Sequence, residues 1–203
     1  MNTGSMINGY FMAPFAYDSG NAGGGLLIYD LSNPKMPKLV NRLYDKRTDD
    51  FREIHSMGYS NIGKKKYLVM QSHKGIHIWN VSDVKKPLLT GKVDFLRGGD
   101  YSDTPWQLAY QHPYIYVTGA NTGLWIIDAT DLSQPKVADR QGQPNPSPLS
   151  QLGGFRVGPI WAMGNRLVLT SMDNKGGISQ LDISDPLNPE LKSSIGNVPK
   201  HYY

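Results

Sequence analysis

The sequence predicts an all-β fold, a β-propeller of about four four-stranded blades, and two observations carry that reading. First, one motif is written four times: GLLIYDLSNPKMP from Gly25, GIHIWNVSDVKKP from Gly75, GLWIIDATDLSQP from Gly123 and GISQLDISDPLNP from Gly177. Asp or Asn stands five residues after each Gly (Asp30, Asn80, Asp128, Asp182), and Pro stands seven further on (Pro37, Pro87, Pro135, Pro189). The copies start 50, 48 and 54 residues apart, a period that belongs to propellers and solenoids. Second, each period holds about four short apolar runs between turn residues, the strand content of one blade. No stretch keeps apolar residues at helical spacing without Gly or Pro interrupting it.

Within the motif, the runs around Leu26, Ile28, Ile76, Ile78, Leu124 and Ile126 are about half a dozen residues long, which suits a strand and is short for a core helix. Tyr29, Trp79, Trp125 and the β-branched residues add strand preference. The Asp or Asn at the strand end, followed by Ser/Thr and another Asp/Asn, is suited to bond forward to the backbone and close a tight turn. Pro then fixes φ and removes a donor where the next strand starts. The leading Gly fits a hairpin position with positive φ.

The strand before each motif is expected at Tyr10 to Phe15, Tyr67 to Gln71, Ile115 to Gly119 and Leu167 to Ser171. The strand after it is expected at Lys38 to Leu43, Leu88 to Val93, Lys136 to Asp139 and Glu190 to Ser194. A fourth, inner strand is expected near Ile54–Ser60, Trp106–Gln111 and Arg156–Ala162. These divide a single domain, 1–203, into approximate repeats 8–44, 52–94, 105–140 and 155–195. Only a short polar lead stands ahead of Tyr10, so the first blade is expected to lack an inner strand, and 196–203 reads as the start of a further one. Two expectations stay open: a four-bladed ring that the tail closes onto the first blade, or a piece of a larger propeller.

The apolar strand ending in Asp or Asn (LLIYD, IHIWN, LWIID, ISQLD) resembles the LVIVD-repeat family, and with its Ser/Thr and Pro spacing the resemblance extends over nearly the whole chain. It implies a β-propeller at the bacterial or archaeal cell surface, and it implies no reaction. The fourth copy departs most, because Ser179 and Gln180 interrupt its apolar strand and predict weaker burial there.

Composition sets further bounds. With 39% hydrophobic and 19% charged residues the chain is an ordinary globular one, long enough to bury about 70% of its unfolded surface. The net charge of +4 is mild, and its basic runs, Lys64–Lys66 and Lys85–Lys86, fall at predicted hairpin turns, so no nucleic-acid partner is expected. The chain has no Cys, which excludes disulfides, thiolate catalysis and Cys-based zinc sites. No run of about 18 apolar residues offers a membrane span, and no export signal is visible.

In a propeller the inner strands line an axis, and the long polar connections 45–53, 94–105 and 140–154 open on one face of it. Aligning the inner strands places His55, Trp106, Arg156 and His201 at matching positions, 51, 50 and 45 residues apart. The motifs around them repeat while these four differ; a scaffold position would tend to repeat, whereas a functional ring need not. Arg52 and Asp103 stand three residues ahead of His55 and Trp106. A small polar or anionic ligand held by Arg52, Arg156 and the two His, with Trp106 as a stacking wall, is the expected site; filling of the axis by packing explains the same residues.

No HExxH spacing occurs and no metal is expected; Asp18, Asn21, Asp173 and Asn174 are read as hairpin residues in preference to calcium ligands. His77, alternating with Ile76 and Ile78, is read as facing outward. No GxSxG elbow, phosphate loop or dinucleotide fingerprint is present, and no catalytic residue or cofactor is expected. The leading expectation is a non-enzymatic, extracytoplasmic module that binds a protein, glycan or small polar ligand. The alternative is an enzyme or metal-dependent binding protein working through the axial residues.

Overall fold

The computed structural model describes residues 4–15, 23–49, 51, 54–97, 104–173 and 175–199. Their sixteen strands form four antiparallel four-stranded sheets, each a meander in sequence order. The first is β1 (Ser5–Ile7), β2 (Tyr10–Phe15), β3 (Gly25–Asp30) and β4 (Lys38–Leu43). The second is β5 (Met57–Ile62), β6 (Lys65–Gln71), β7 (Gly75–Asn80) and β8 (Leu88–Asp94). The third is β9 (Gln107–Gln111), β10 (Tyr114–Thr118), β11 (Leu124–Asp128) and β12 (Lys136–Val137). The fourth is β13 (Val157–Met163), β14 (Arg166–Ser171), β15 (Lys175–Asp182) and β16 (Glu190–Pro199). Among the described residues the only helical pieces are single 3₁₀ turns at Lys46–Thr48 and Leu149–Gln151. These are propeller blades, as the repeat predicts.

The repeated turn works by side-chain acceptance. Asp30, Asn80, Asp128 and Asp182 each take the N–H two residues on, at 2.8–2.9 Å. Asn33, Asp83, Asp131 and Asp185 do the same one turn later, at 2.9–3.2 Å. Two consecutive Asx turns in every blade therefore account for the spaced Asp/Asn pair.

The motif glycine has a different reason from the one the sequence suggests. Only Gly123 has positive φ, at 102°. At Gly25, Gly75, Gly123 and Gly177 a Cβ would collide with a backbone carbonyl crossing over the strand: Leu43, Val93, Ser147 and Ile195 respectively. Close backbone approach selects Gly here.

Both faces of the inner blades are buried, so each strand feeds two cores. Met12, Leu26 and Ile28 of the first blade pack on Leu68, Met70 and Trp79 of the second. Val69, Ile76 and Ile78, on its other face, pack on Leu108, Ile115, Val117 and Ile127 of the third. Tyr116, Leu124 and Ile126 pack on Leu167, Leu169 and Leu181 of the fourth. Call the face turned to the next blade trailing and the opposite one leading.

That two-sidedness corrects one expectation. His77 does not face outward: it lies on the leading face, 1% exposed, with its ring 4.8 Å from that of Phe51. Alternation with Ile76 and Ile78 marks the opposite face, but in a propeller the opposite face is also a core.

Three strand assignments also shift. The first blade does have an inner strand, the three-residue β1, paired Ser5↔Met12 through Ile7↔Tyr10. Residues 196–199 do not start a further inner strand; they extend β16, which pairs with β15 as far as Lys175↔Pro199. The third blade's outer strand stops at Val137, and the loop returns to finish the sheet. Ser147 exchanges both backbone bonds with Leu124, and the Asn145 side chain bonds Ile126 N, Ile126 O and Ala138 O at 2.8–3.1 Å. Arg140, 5% exposed, ties this loop down by donating to Leu187 O at 2.5 Å, Ser147 Oγ at 2.7 Å and Pro144 O. In the fourth blade Ser179 is fully buried, its hydroxyl donating to Leu152 O at 2.7 Å, so its polarity is absorbed by a hydrogen bond.

Candidate functional site at the axial mouth

The inner strands β5, β9 and β13 lie side by side, which brings the residues just ahead of them to one end of the axis. Of the six residues singled out in the sequence, His55, Trp106 and Arg156 fall among the described ones. Arg52, Asp103 and His201 lie outside the described residues, as do Asp18, Asn21 and Asn174.

His55 and Trp106 come together. Their ring centroids are 4.3 Å apart with an interplanar angle of 33°, and they are 4% and 6% exposed. On its far side Trp106 meets the next inner strand at Gly158, where a Cβ would stand 3.2 Å from the indole Cδ1 and Nε1. The indole thus sits between the inner strands of the second and fourth blades, and Gly158 makes room for it.

Arg156 is arranged differently. Its side chain is 39% exposed, with Nη1 3.2 Å from Asp173 Oδ1 and Nε donating to Asn121 Oδ1 at 2.6 Å. Asp173 is itself fixed by its N–H donating to Ser171 Oγ at 2.8 Å. Asn121 and Asp173 come from the β10–β11 and β14–β15 loops, so this polar cluster joins two blades on the loop-rich face. Part of the guanidinium fork stays turned to solvent and is able to take an anion or a carbonyl.

Beneath the mouth the blades are joined by a second set of polar groups. Gln71 Nε2 donates to Pro105 O at 3.1 Å, and Thr118 Oγ1 donates to Gly158 O at 2.6 Å. Ser56 Oγ accepts from Leu108 N at 2.6 Å, and Gln107 Oε1 accepts from Ile160 N at 3.3 Å. All four are buried or half-buried, and each spans two neighbouring blades, so the floor of the mouth is rigid.

Sequence spacing finds His55, Trp106 and Arg156, because the inner strands start at a near-constant period. It misses Asn121, Asp173, Gln71 and Thr118. Gln71 and Thr118 occupy one register position, opposite Ile76 and Leu124, yet stand four and five residues before their motif glycines because the hairpin loops differ in length.

The long connections are not uniformly open. Residues 45–49 fold back on themselves: Asp45 accepts from Arg47 N at 2.9 Å and Thr48 Oγ1 donates to Asp45 O at 2.9 Å, and Phe51 is 1% exposed. The Arg47 guanidinium beside Asp45 holds that carboxyl below its usual range. A separate cleft of about 510 Å³ at the outer rim is lined by Arg140, Gln143, Gln151, Asn188, Glu190 and Leu191. It shares no residue with the axial mouth. Among the described residues no group of three or more His, Asp or Glu converges on a point, and no helix is long and apolar enough to cross a membrane.

The LVIVD repeat family matches residues 19–45, 106–140 and 172–196, that is, copies one, three and four of the motif. No curated protein matches the sequence. Among solved structures, the dihydro-heme d1 dehydrogenase NirN in complex with DHE is similar at 16% identity and a TM-score of 0.54, over 98% of this chain and 38% of that one. The computationally designed protein Ika8 is similar at 10% identity and a TM-score of 0.52, over 100% of this chain and 64% of that one. Apo AztD from Citrobacter koseri aligns at 12% identity and a TM-score of 0.46, over 98% of this chain and 47% of that one. This chain therefore spans less than two thirds of each of these structures, and for NirN and Ika8 the likeness is one of fold.

Proposed function

The chain carries LVIVD repeats on a row of propeller blades, and from that premise we propose that it is a non-enzymatic, extracytoplasmic binding module. Its ligand is a small polar or anionic group, presented by a glycan or a protein and received at the axial mouth. The observations that carry this reading are a buried aromatic stack, His55 on Trp106, and the half-exposed Arg156 just ahead of the next inner strand. A flat apolar wall beside an oriented, partly solvated guanidinium is a common way to seat an anionic sugar or carboxylate. The rigid floor supplied by Gln71, Thr118 and Gln107 means that little ordering is needed on binding. Arg52, Asp103 and His201, which lie outside the described residues, are proposed as further members of the site from the sequence alignment alone.

Tryptophan fluorescence tests it. Titration with glucuronic acid, citrate and inorganic phosphate, with maltose as a neutral control, is expected to give a saturable change for at least one anion. Arg156→Gln should weaken that response about tenfold or more, and Trp106→Phe should shrink its amplitude. Absence of a saturable response to every anion, in protein whose fold is intact by circular dichroism, removes the axial site.

A further inference from the structure

The trailing face of the fourth blade has the composition of a blade junction without a blade upon it. In the first three blades the trailing-face residues Met12, Leu26, Ile28, Val69, Ile76, Ile78, Leu124 and Ile126 are fully buried. In the fourth, Val168 and Ile178 hold the same register positions and are only half-buried. Beside them Trp161, paired with Val168, is 53% exposed, and Ile195, paired with Ile178, is 65% exposed. Met163 at the end of the same row is 66% exposed.

A buried polar atom on this face points to what is missing. Gln71 and Thr118 pair with Ile76 and Leu124, and each donates to a backbone carbonyl just before or within the next blade's inner strand, Pro105 O or Gly158 O. Thr170 pairs with Ile178 and so holds the third position of this series. It is 5% exposed, and its Oγ1 is buried with no hydrogen-bond partner. A buried hydroxyl without a partner is costly, whereas its two register equivalents are satisfied across a junction.

The surface that fits is present at the other end of the chain. Leading faces cover trailing faces at all three internal junctions, and the first blade has a leading face left over. Phe11, Ala13, Leu27 and Tyr29 stand there at the positions of Leu68, Met70, His77 and Trp79, half-buried where those are fully buried. Met6 (61% exposed) and Leu39 (45%) extend the face on either side. We infer that this chain associates head to tail with a second copy of itself. The leading face of one copy's first blade docks on the trailing face of the other's fourth, and Thr170 donates to a backbone carbonyl of the incoming inner strand. The contact is heterologous, so two or more copies close a ring or extend a row.

Light scattering after gel filtration, over a dilution series, tests this. The expected mass is a multiple of 22.6 kDa that falls to one copy in Trp161→Glu/Ile195→Glu and equally in Met6→Glu/Leu39→Glu. Mixed together, the two variants should form a one-to-one pair, because each retains the face that the other lacks. Thr170→Val should weaken self-association about tenfold. A single-copy mass at every concentration overturns the inference. So does association that survives both pairs of substitutions. A single copy in which Trp161 is shielded from iodide quenching would show the chain closing upon itself, which also overturns it.

Discussion

Trp106 lies with its ring 4.3 Å from that of His55 and against Gly158, so one indole links the segments at the starts of three successive inner strands. It is the packing centre of the axial mouth as well as the wall of the proposed site, and those two roles separate on substitution. Trp106→Ala should cost about 3–5 kcal/mol, the usual range for emptying a buried aromatic site, read by chemical denaturation. Trp106→Phe and His55→Phe, which keep an aromatic stack, should cost less than half as much. If His55→Phe abolishes the ligand response while the melt is little changed, the imidazole serves recognition; if it lowers the melt as far as Trp106→Ala does, the imidazole serves packing.

Gly75→Ala should destabilise the second blade by roughly 1–3 kcal/mol, since the added methyl meets the Val93 carbonyl with no side chain free to give way. Gly63→Ala, at a turn where nothing lies within 4 Å, is the control. It should cost less, reflecting only its φ of 58°. Equal losses at the two positions, measured by thermal melts, would refute the close-approach account of the motif glycine.

Acid should loosen the repeat turns. Asp182 is held down to about 2 from 3.8, first by the side-chain and backbone hydrogen bonds of Ser184 and then by the Arg166 guanidinium. A carboxyl held low in the folded state favours folding at pH values above 3.8, and that contribution is lost as pH falls from 3.8 through about 2. Asp30, Asp128, Asp131 and Asp185 are lowered as well, so several turns add to the slope. Asp182→Asn keeps the acceptor oxygen, as Asn80 does in the second blade, and should flatten the pH dependence of the melting temperature between pH 2 and about 4. An unchanged slope would show that this turn does not sense acid.

Arg140→Met should cost about 3 kcal/mol, because Pro144 O, Ser147 Oγ and Leu187 O lose a charged donor together. Its effect should be seen as faster hydrogen exchange at Leu124 and Ser147, the pair that closes the third blade, with the second blade unaffected. Uniform exchange across all blades would place the role of Arg140 elsewhere.

Much of this architecture was legible because one motif fixes one local event. The Asp or Asn at the strand end, and its fellow three residues on, make the same Asx turns in every blade, and strands such as Lys38–Leu43 emerge at the residues expected. What the sequence misstated came from effects that act between sheets. His77 looked outward because alternation identifies two faces without saying that both are covered. The motif Gly looked like a turn residue because a crossing carbonyl from the outer strand leaves no local trace. At the site, His55, Trp106 and Arg156 were legible through the period of the inner strands. Thr118 and Thr170 were not, since loops of unequal length separate them from the motif and only the ladder register reveals them as equivalents.

The Asn145 side chain, by taking the place of outer-strand backbone against Ile126 and Ala138, separates the geometry of the third sheet from the length of chain between Ala138 and Asn145. The six residues from Asp139 to Pro144 need only leave the sheet and come back to it. The side chains of Gln141, Gln143 and Pro144 are exposed and open to change while the sheet stays shut. A rim that tolerates such drift lets related proteins acquire new surface chemistry there without renegotiating the fold beneath it.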